Sequence, residues 1–467
     1  MQTMARATAA IVSTFILGSA ASAAGRSIYV ATDGTDSAGC GAQTSACRSI
    51  SRGLENATDG DTILVGAGRY GNISGSASYI GPGDEHPEAR DRYFFVTGCI
   101  ICIEKAVSIY SLHGPSVTVI EGAPLTSMEA TVLIHHEGVN FGAPGRGFTI
   151  TGGSAYGVLF DEEEQYGGWG IHLKSNVSIA GNVDLGDADG FAFMGRGYTD
   201  TVCPIDDCLP TAAITYAQND SVDNSHAAFN ISQNFFLGTG SVVVQNNYAR
   251  GAGIGFDVPG GGQSAQGLYP VTSDKISLTG NVAEHNTLGF HAVAPGKMIS
   301  NTAAGNSQAG FHVVAGHGDT GQPVTAFQNN TAVGNAGPGA IVQFFLDGRD
   351  PPSLLNFPSF TQNNFYGNDR HRPSLSIQIS QDMNVQFDPG PGAHCGVLNL
   401  GQLVGYFDAV PNPPMVAPLN ANGNFWGTTH GPAPTGASDA FGGACDQHGG
   451  KTTVTSYASA GFAITTH

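Results

Sequence analysis

The chain has 467 residues, of which 41% are hydrophobic and only 12% are charged, and its formal net charge is −19. The apolar content is enough for a continuous core, which excludes a disordered chain. So acidic a chain is poorly matched to nucleic acid or to an anionic lipid surface, and we expect neither as a partner.

Residues 1–23 have the features of an export signal. Arg6 provides the positive charge, an apolar stretch runs from Ala9 to Ala20, and small residues suited to cleavage follow up to Ala23. No later stretch is long and apolar enough to cross a bilayer. We therefore expect a secreted, periplasmic or cell-surface protein.

The cysteines fall into four pairs of sequence neighbours. These are Cys40/Cys47, Cys99/Cys102, Cys203/Cys208 and Cys395/Cys445. In an exported chain they favour disulfides, and we predict local pairing because each pair brackets a predicted loop. Metal binding is the alternative for the Cys-x-x-Cys pair, although a second such pair is missing.

Residues 24–75 predict a strand, a short helix and a second strand. Ile50, Leu54 and Ala57 recur at helical spacing, and the stretch 59–70 returns to a strand pattern. We expect this segment to lead into the first coil and to cap the open end of the structure that follows.

A phrase of Asn-x-Ala, a polar turn and a Gly-Phe or Gly-Ala pair recurs along the middle of the chain. Its copies begin at Asn281, Asn301 and Asn330, and a degenerate copy begins at Asn247. A unit this short, without a helical stripe, predicts a solenoid of short parallel strands. Neighbouring coils should lie about 4.8 Å apart. Their asparagines should stack as a hydrogen-bonded ladder.

These repeats, the opening strand–helix–strand and the phrase 420–427 resemble exported bacterial right-handed parallel β-helix proteins of the pectin-lyase-like superfamily. The resemblance implies an all-β, single-stranded right-handed parallel β-helix with a short N-terminal capping helix. It implies coils with loop insertions over 76–345. Further coils, Pro/Gly-rich loops and a closing segment should follow over 346–467. No specific activity family is matched, because only Gly316-His-Gly318 corresponds to a polygalacturonase motif.

Two stretches depart from the coil pattern. Residues 198–225 indicate one long insertion held by Cys203 and Cys208. Prolines interrupt the pattern from 344 to 420, which predicts loops there, and residues 454–464 are expected to supply closing strands.

Alignment of the coils on the Gly-Phe pair places Asp257, His291 and His312 at one shared position. Alternate residues of a strand face opposite sides, so these three face outward if Phe256 and Val258 face the core. A carboxylate beside an imidazole can orient it for acid–base catalysis, and we predict a catalytic site here. The alternative is a solvated face whose residues were copied by duplication.

A second candidate site contains Asp184, Asp187 and Asp189, which precede Gly190. Clustered carboxylates suit Ca²⁺, which requires six to eight oxygen ligands. The sequence lacks the final Glu of an EF-hand loop, and a solvated acidic turn is the alternative. Ca²⁺ is the single cofactor that we expect.

These features predict an exported protein that acts on or binds a polysaccharide, as a carbohydrate-active lyase or hydrolase. The alternative is a non-catalytic surface protein that binds glycans or other proteins. A lyase would use a basic residue, and the candidates are Lys174, Arg196, Arg250 and Lys297. None lies in a lyase motif, and the net charge opposes an anionic polymer unless Ca²⁺ bridges the two.

Overall fold

The fold is seen in a computed structural model that describes most of the chain after residue 24. The described residues are 25–71, 85, 88–89, 98–122, 130–153, 155–161, 174–194, 212–232, 240–259, 273–293, 295–315, 325–346, 359–369, 375–380, 383–387, 395–404, 416–432, 443–447 and 449–467. The predicted export signal, the Cys203/Cys208 pair and the Gly316-His-Gly318 motif lie outside these residues.

Across the described ranges, the strands form three long sheets of 11, 10 and 12 strands. The first sheet consists of Ser27–Val30, Thr62–Val65, Ser108–Ser111, Asn140–Phe141, Val177–Ala180, Ala213–Ala217, Ser241–Gln245, Ser273–Thr279, Pro295–Ile299, Ala326–Gln328 and Ser359–Thr361. The second consists of Gly68–Gly71, Thr118–Glu121, Thr149–Thr151, Val183–Leu185, Asp220–Val222, Tyr248–Arg250, Val282–Glu284, Thr302–Ala304, Thr331–Val333 and Asn364–Tyr366. The third consists of Glu88–Ala89, Gly98–Ile103, Ala130–Ile134, Tyr156–Asp161, Asp189–Met194, Ala227–Ser232, Ile254–Val258, Leu288–Val293, Phe311–Ala315, Ala340–Leu346, Cys395–Val404 and Gly443–Asp446.

Successive strands of each sheet come from successive coils and pair in parallel. Within the described ranges, the antiparallel pairs are Glu88–Ala89 with Gly98–Ile103 and the hairpin of Leu375–Ser380 with Met383–Phe387. Ala417–Asn420 and Gly450–Thr453 form one further parallel pair. A chain that visits three sheets in turn and advances by one strand each time is a parallel β-helix. The predicted fold class is confirmed.

The core is a column of apolar side chains enclosed by the three sheets. Five phenylalanines of the third sheet stack along it, with ring centroids 4.7 to 5.1 Å apart, and these are Phe191, Phe229, Phe256, Phe290 and Phe311. Because each ring packs on its counterpart in the next coil, the stack holds neighbouring strands in one register.

The predicted asparagine ladder is present and is longer than the repeats indicated. In each step the backbone N–H of one asparagine donates to the side-chain Oδ1 of the next. Its members are Asn182, Asn219, Asn247, Asn281, Asn301, Asn330, Asn363 and Asn424. A second ladder lies at the turn before the third sheet and contains Asn286, Asn306, Asn335 and Asn368. The ladders therefore satisfy the buried backbone at both turns that flank the second sheet.

The predicted N-terminal helix spans Ile50–Asn56 and packs on the first strands. Ser49 is its N-cap and accepts a hydrogen bond from the Arg52 N–H at 3.1 Å. The buried carboxylate of Glu85 accepts hydrogen bonds from the Ile50 N–H at 2.8 Å and the Ser51 N–H at 2.6 Å. The first turn of the helix is thus satisfied by an N-cap and a buried acid.

The predicted insertion over 198–225 is too long. Ala213–Ala217 is a strand of the first sheet and Asp220–Val222 is a strand of the second. Asn219 lies between them in the ladder. The coil pattern therefore resumes well before residue 225.

The further coils expected after residue 346 are present, because Ser359–Thr361, Asn364–Tyr366 and Cys395–Val404 extend the three sheets. These strands lie within the stretch 344–420, where loops were expected, and the closing strands expected at the carboxyl terminus also need correction. Residues 454–464 contain an isolated bridge at Tyr457 rather than closing strands. The last strand of the chain is Gly450–Thr453.

Two features bear on where the protein works. The three predicted disulfides that lie within the described residues are formed, namely Cys40–Cys47, Cys99–Cys102 and Cys395–Cys445. The metal-binding alternative for the Cys-x-x-Cys pair is therefore wrong, and the disulfides fit an extracellular protein. In the part of the chain that the structure describes, no helix has the length and apolar character needed to span a membrane.

Candidate functional site

One row of side chains, which we call the outer row, follows the register of the third sheet. In coil order it contains Leu133, Leu159, Ala192, Asn230, Asp257, His291, His312, Ile341 and Leu398. The flanking residues of each strand, such as Phe256 and Val258, belong to the core. The outer row therefore faces away from the core, and the predicted shared position of Asp257, His291 and His312 is confirmed.

The side chains of the outer row are buried although they face away from the core. Its apolar members at the two ends are at most 2% exposed, and Asp257, His291 and His312 are 7%, 2% and 1% exposed. A solvated face would leave these polar side chains in water, so that alternative is wrong. Buried polar groups weaken a fold unless they are paired, and the partners of these residues therefore decide what the row can do.

His291 is paired with the carboxylate of the preceding coil. Its Nδ1 lies 2.7 Å from Asp257 Oδ1. In the neutral ring, this contact places the proton on Nδ1 and leaves a lone pair on Nε2. His291 Nε2 is buried and has no hydrogen-bond partner among the described residues. Nδ1 of His312 is the other ring nitrogen of the outer row that is buried without a partner among the described residues.

His312 packs on His291 and is held by a residue that the sequence did not indicate. The two imidazole rings are stacked, with centroids 5.2 Å apart. His312 Nε2 lies 2.7 Å from Gln343 Oε1 and donates to it. Burial, followed by the neighbouring His291, lowers the pKa of His312 to about 3. His312 is therefore neutral at physiological pH and cannot act as a proton donor to a substrate there.

A second His–Asp pair lies beside Asn230, where the polar part of the outer row begins. Asp189 accepts hydrogen bonds from His226 Nδ1 at 2.6 Å, from the Ala227 N–H at 2.9 Å and from Asn230 Nδ2 at 2.9 Å. Asn230 is the register neighbour of Asp257. The hydrogen bond to Asp189 raises the pKa of His226, and the charges of Asp189 and Asp257 add to this effect.

We call these seven residues the polar network, and they are His226, Asp189, Asn230, Asp257, His291, His312 and Gln343. Asn230 could have been found from the sequence, because Phe229-Asn230 repeats the Phe-polar phrase of the later coils. His226 lies in a turn, and Gln343 lies two residues beyond the aligned position in the coil after His312. Strand alternation places Gln343 on the same face as Ile341, so spacing could have found Gln343, whereas no spacing rule would have found His226.

The three aspartates predicted to bind Ca²⁺ do not converge. Asp189 belongs to the polar network and its two carboxylate oxygens already accept hydrogen bonds. Asp184 and Asp187 lie together and are 0% and 1% exposed. Burial, followed by the charge of Asp187 and a hydrogen bond with it, raises the pKa of Asp184 well above its usual range, which favours the protonated carboxyl.

This arrangement does not fit a Ca²⁺ site. Asp184 Oδ2 accepts hydrogen bonds from Asn224 Nδ2 at 2.6 Å and from Ser221 Oγ at 3.3 Å. Apart from their contact with each other, Asp184 Oδ1 and both carboxylate oxygens of Asp187 are buried without a hydrogen-bond partner among the described residues, but two carboxylates fall short of the six to eight oxygens that Ca²⁺ requires. Among the described residues, no group of three His, Cys, Asp or Glu could hold a metal ion. No step of the chemistry proposed below uses this ion.

The basic residues named for a lyase lie elsewhere. Arg250 ends a strand of the second sheet and Lys297 lies in a strand of the first sheet. Lys174 lies outside the strands, and Arg196 lies outside the described residues. No described strand of the third sheet contains a lysine or an arginine. The polar network therefore has carboxylates, amides and imidazoles as its functional groups.

The structure defines the class of this protein as a parallel β-helix with a buried polar network on the outer side of one sheet. No protein-family model matches the chain, and neither a curated protein nor a solved structure matches it significantly. Membership of the pectin-lyase-like superfamily and a bacterial source stay predictions from the sequence resemblance.

Proposed function

We propose that this chain is an exported β-helix protein that acts on an uncharged polysaccharide, which it hydrolyses at the polar network. The observation that carries the proposal is the pair of Asp257 and His291, which leaves a buried lone pair on His291 Nε2. Paired residues of this kind provide general-base catalysis where a substrate can approach them.

Each residue of the pair has a defined role. His291 Nε2 accepts a proton from the attacking water as the new carbon–oxygen bond forms. Asp257 holds the ring in the required tautomer and balances the charge that develops on it. His312 stays neutral and packs against the ring, which restricts the orientation of His291.

The charges around the network support an uncharged substrate. The third sheet has no lysine or arginine in its described strands, and the chain carries a net charge of −19. The segments 260–272 and 316–324, which follow Asp257 and His312 in sequence, also contain neither residue. An anionic polymer would therefore be repelled. β-Elimination, which needs a uronate and a group to neutralise it, is disfavoured for the same reason.

A non-catalytic role is the second candidate, and one observation favours it. His291 and His312 are almost completely buried. Stacked, hydrogen-bonded imidazoles can also serve as a rigid polar base beneath a surface that binds glycans or other proteins. The two candidates differ in turnover, which a binding protein would not show.

A glycan panel tests the proposal. The mature protein is incubated with neutral and anionic polysaccharides, with and without Ca²⁺. Release of reducing ends and the ultraviolet absorbance of unsaturated uronates are followed together. We expect reducing ends from a neutral polysaccharide, without an absorbance change and without a requirement for Ca²⁺. An absorbance rise would show a lyase and would overturn the hydrolytic assignment.

A matched pair of variants then tests His291. His291→Asn should lower turnover by about 10²- to 10⁴-fold, which is the usual contribution of a general base. His285→Asn is the control, because His285 is an exposed histidine of the same coil with a left-handed φ of 57° that asparagine tolerates. Equal activity of the two variants would show that His291 is not the base. Saturable binding without turnover by the parent protein would favour the non-catalytic candidate.

A further inference from the structure

The two His–Asp pairs of the polar network have the same bonding but opposite exposure. His226 Nδ1 lies 2.6 Å from Asp189 Oδ1, and His291 Nδ1 lies 2.7 Å from Asp257 Oδ1. In each pair the aspartate belongs to one coil and the histidine to the next. The side chain of His226 is 58% exposed, whereas that of His291 is 3% exposed.

Asn230 lies between the two pairs. Its Nδ2 donates to Asp189 Oδ2 at 2.9 Å, and its strand position is directly beside that of Asp257. Asn230 Oδ1 is buried and has no hydrogen-bond partner among the described residues. A buried, unpartnered acceptor between two acid–base pairs is suited to a hydroxyl group of a bound sugar.

A general base must be unprotonated before it acts, whereas the surroundings of His226 favour its protonated form. The hydrogen bond to Asp189 raises its pKa, and the negative charges of Asp189 and Asp257 both favour the imidazolium. Asp189 occupies Nδ1, so Nε2–H is the ring group left for a ligand. Asp189, Asp257 and the amide of Asn230 are the charged and polar groups identified around this ring, and none is a cation.

We propose that His226 is the proton donor of the site, at the exposed end of the polar network, and that it acts together with His291. This inference rests on the proposed hydrolysis. His226 Nε2–H gives its proton to the glycosidic oxygen as the bond from that oxygen to the anomeric carbon breaks. His291 Nε2 takes a proton from the water whose oxygen forms the new bond to that carbon. Proton exchange with solvent restores both rings.

The first test uses leaving-group chemistry. His226→Asn is compared with the His285→Asn control on the neutral polysaccharide and on a nitrophenyl glycoside of the same sugar. A nitrophenolate leaves without help from an acid, whereas a sugar alkoxide does not. We expect His226→Asn to lose at least about 100-fold on the polysaccharide and less than about 10-fold on the nitrophenyl glycoside. Equal losses on both substrates would overturn the assignment of His226 as the acid.

The pH profile supplies a second readout. In the parent protein, kcat/KM for the polysaccharide should fall as the pH rises through the pKa of His226, because the donor loses its proton. That alkaline limb should disappear in His226→Asn and move to lower pH in Asp189→Asn, which removes the charge that raises the pKa. An unchanged limb in both variants would contradict the proposal.

The outcomes separate this inference from the proposed function. If His291→Asn is inactive while His226→Asn keeps full activity and its alkaline limb, the proposed function stands and the role of His226 is refuted. If no glycan is hydrolysed by the parent protein, both are refuted. Nuclear magnetic resonance titration of His226 checks the pairing itself, because its pKa should fall in Asp189→Asn whether or not a substrate is known.

Discussion

Asn301→Ala tests what holds the coils together. Asn301 is completely buried. Its Oδ1 accepts hydrogen bonds from the backbone and the side-chain amide of Asn281, both at 3.0 Å. Its Nδ2 donates to the Leu278 carbonyl at 2.9 Å and to Asn330 Oδ1 at 3.1 Å. Alanine removes all four hydrogen bonds and keeps the backbone conformation accessible.

The expected loss follows from the groups left behind. The N–H of Asn281 loses its acceptor, and the carbonyl of Leu278 loses the amide that donates to it. A buried backbone group without a partner costs about 1–3 kcal/mol, so the two together cost about 2–6 kcal/mol. The side-chain amide of Asn281 keeps its hydrogen bond to the Val244 carbonyl at 2.8 Å and adds little to the loss.

Urea unfolding and amide hydrogen exchange measure the effect. Because a solenoid coil contacts only its neighbours, we expect faster exchange in the coils of Asn281, Asn301 and Asn330 and little change at the N-terminal helix. Ser307→Ala is the control, since Ser307 is an exposed residue of the same coil and its loss should stay within about 0.5 kcal/mol. If Asn301→Ala were no less stable than this control, the ladder would not contribute to stability and the reasoning would be refuted.

Three further predictions concern pH and the C-terminal disulfide. Because folding raises the pKa of Asp184 above its ordinary value of 3.8, the folded state loses stability as the pH rises beyond 3.8. Asp184→Asn can still donate to Asp187 and carries no titrating proton, so it should raise the urea midpoint at pH 8. His312 acts in the opposite sense: its pKa of about 3 lies below the ordinary 6.5, so stability should fall by up to about 5 kcal/mol as the pH drops between these values. His312→Phe should remove that slope in urea titrations, and an unchanged slope in either variant would contradict its assignment. Replacing Cys395 and Cys445 together by alanine opens a loop with a sequence separation of 50 and should cost about 4 kcal/mol, so an unaltered urea midpoint would contradict this estimate.

The fold could be predicted from the sequence wherever the same type of residue makes the same hydrogen bonds in successive coils. Asn281, Asn301 and Asn330 share an obligatory hydrogen-bonding role, so their spacing marked the coils and the ladder. The coil of Asn219 was missed because it lacks the Gly-Phe pair. Its Asn-Asp-Ser phrase nevertheless matches the general pattern of asparagine followed two residues later by a small side chain. A search for the asparagine alone would have shortened the predicted insertion.

The candidate site was predictable only in part. Strand alternation placed Asp257, His291 and His312 at one outward position, because that position depends on local backbone geometry. Their burial was not predictable, since it depends on what covers the sheet. The contacts of His226 and Gln343 depend on side-chain directions across coils, which sequence spacing does not specify.

The composition of the outer row explains why these coils, and not others, carry the proposed site. Duplication alone would copy one residue type along the row, as it does in the asparagine ladder. Instead the row is apolar at Leu133 and Leu159, polar through Asp257 and His291, and apolar again at Ile341. An ionisable pair placed where burial favours apolar side chains weakens the fold, and the core and ladders of the same coils offset that loss. The solenoid is regular wherever stability requires it and departs from regularity where acid–base chemistry is proposed.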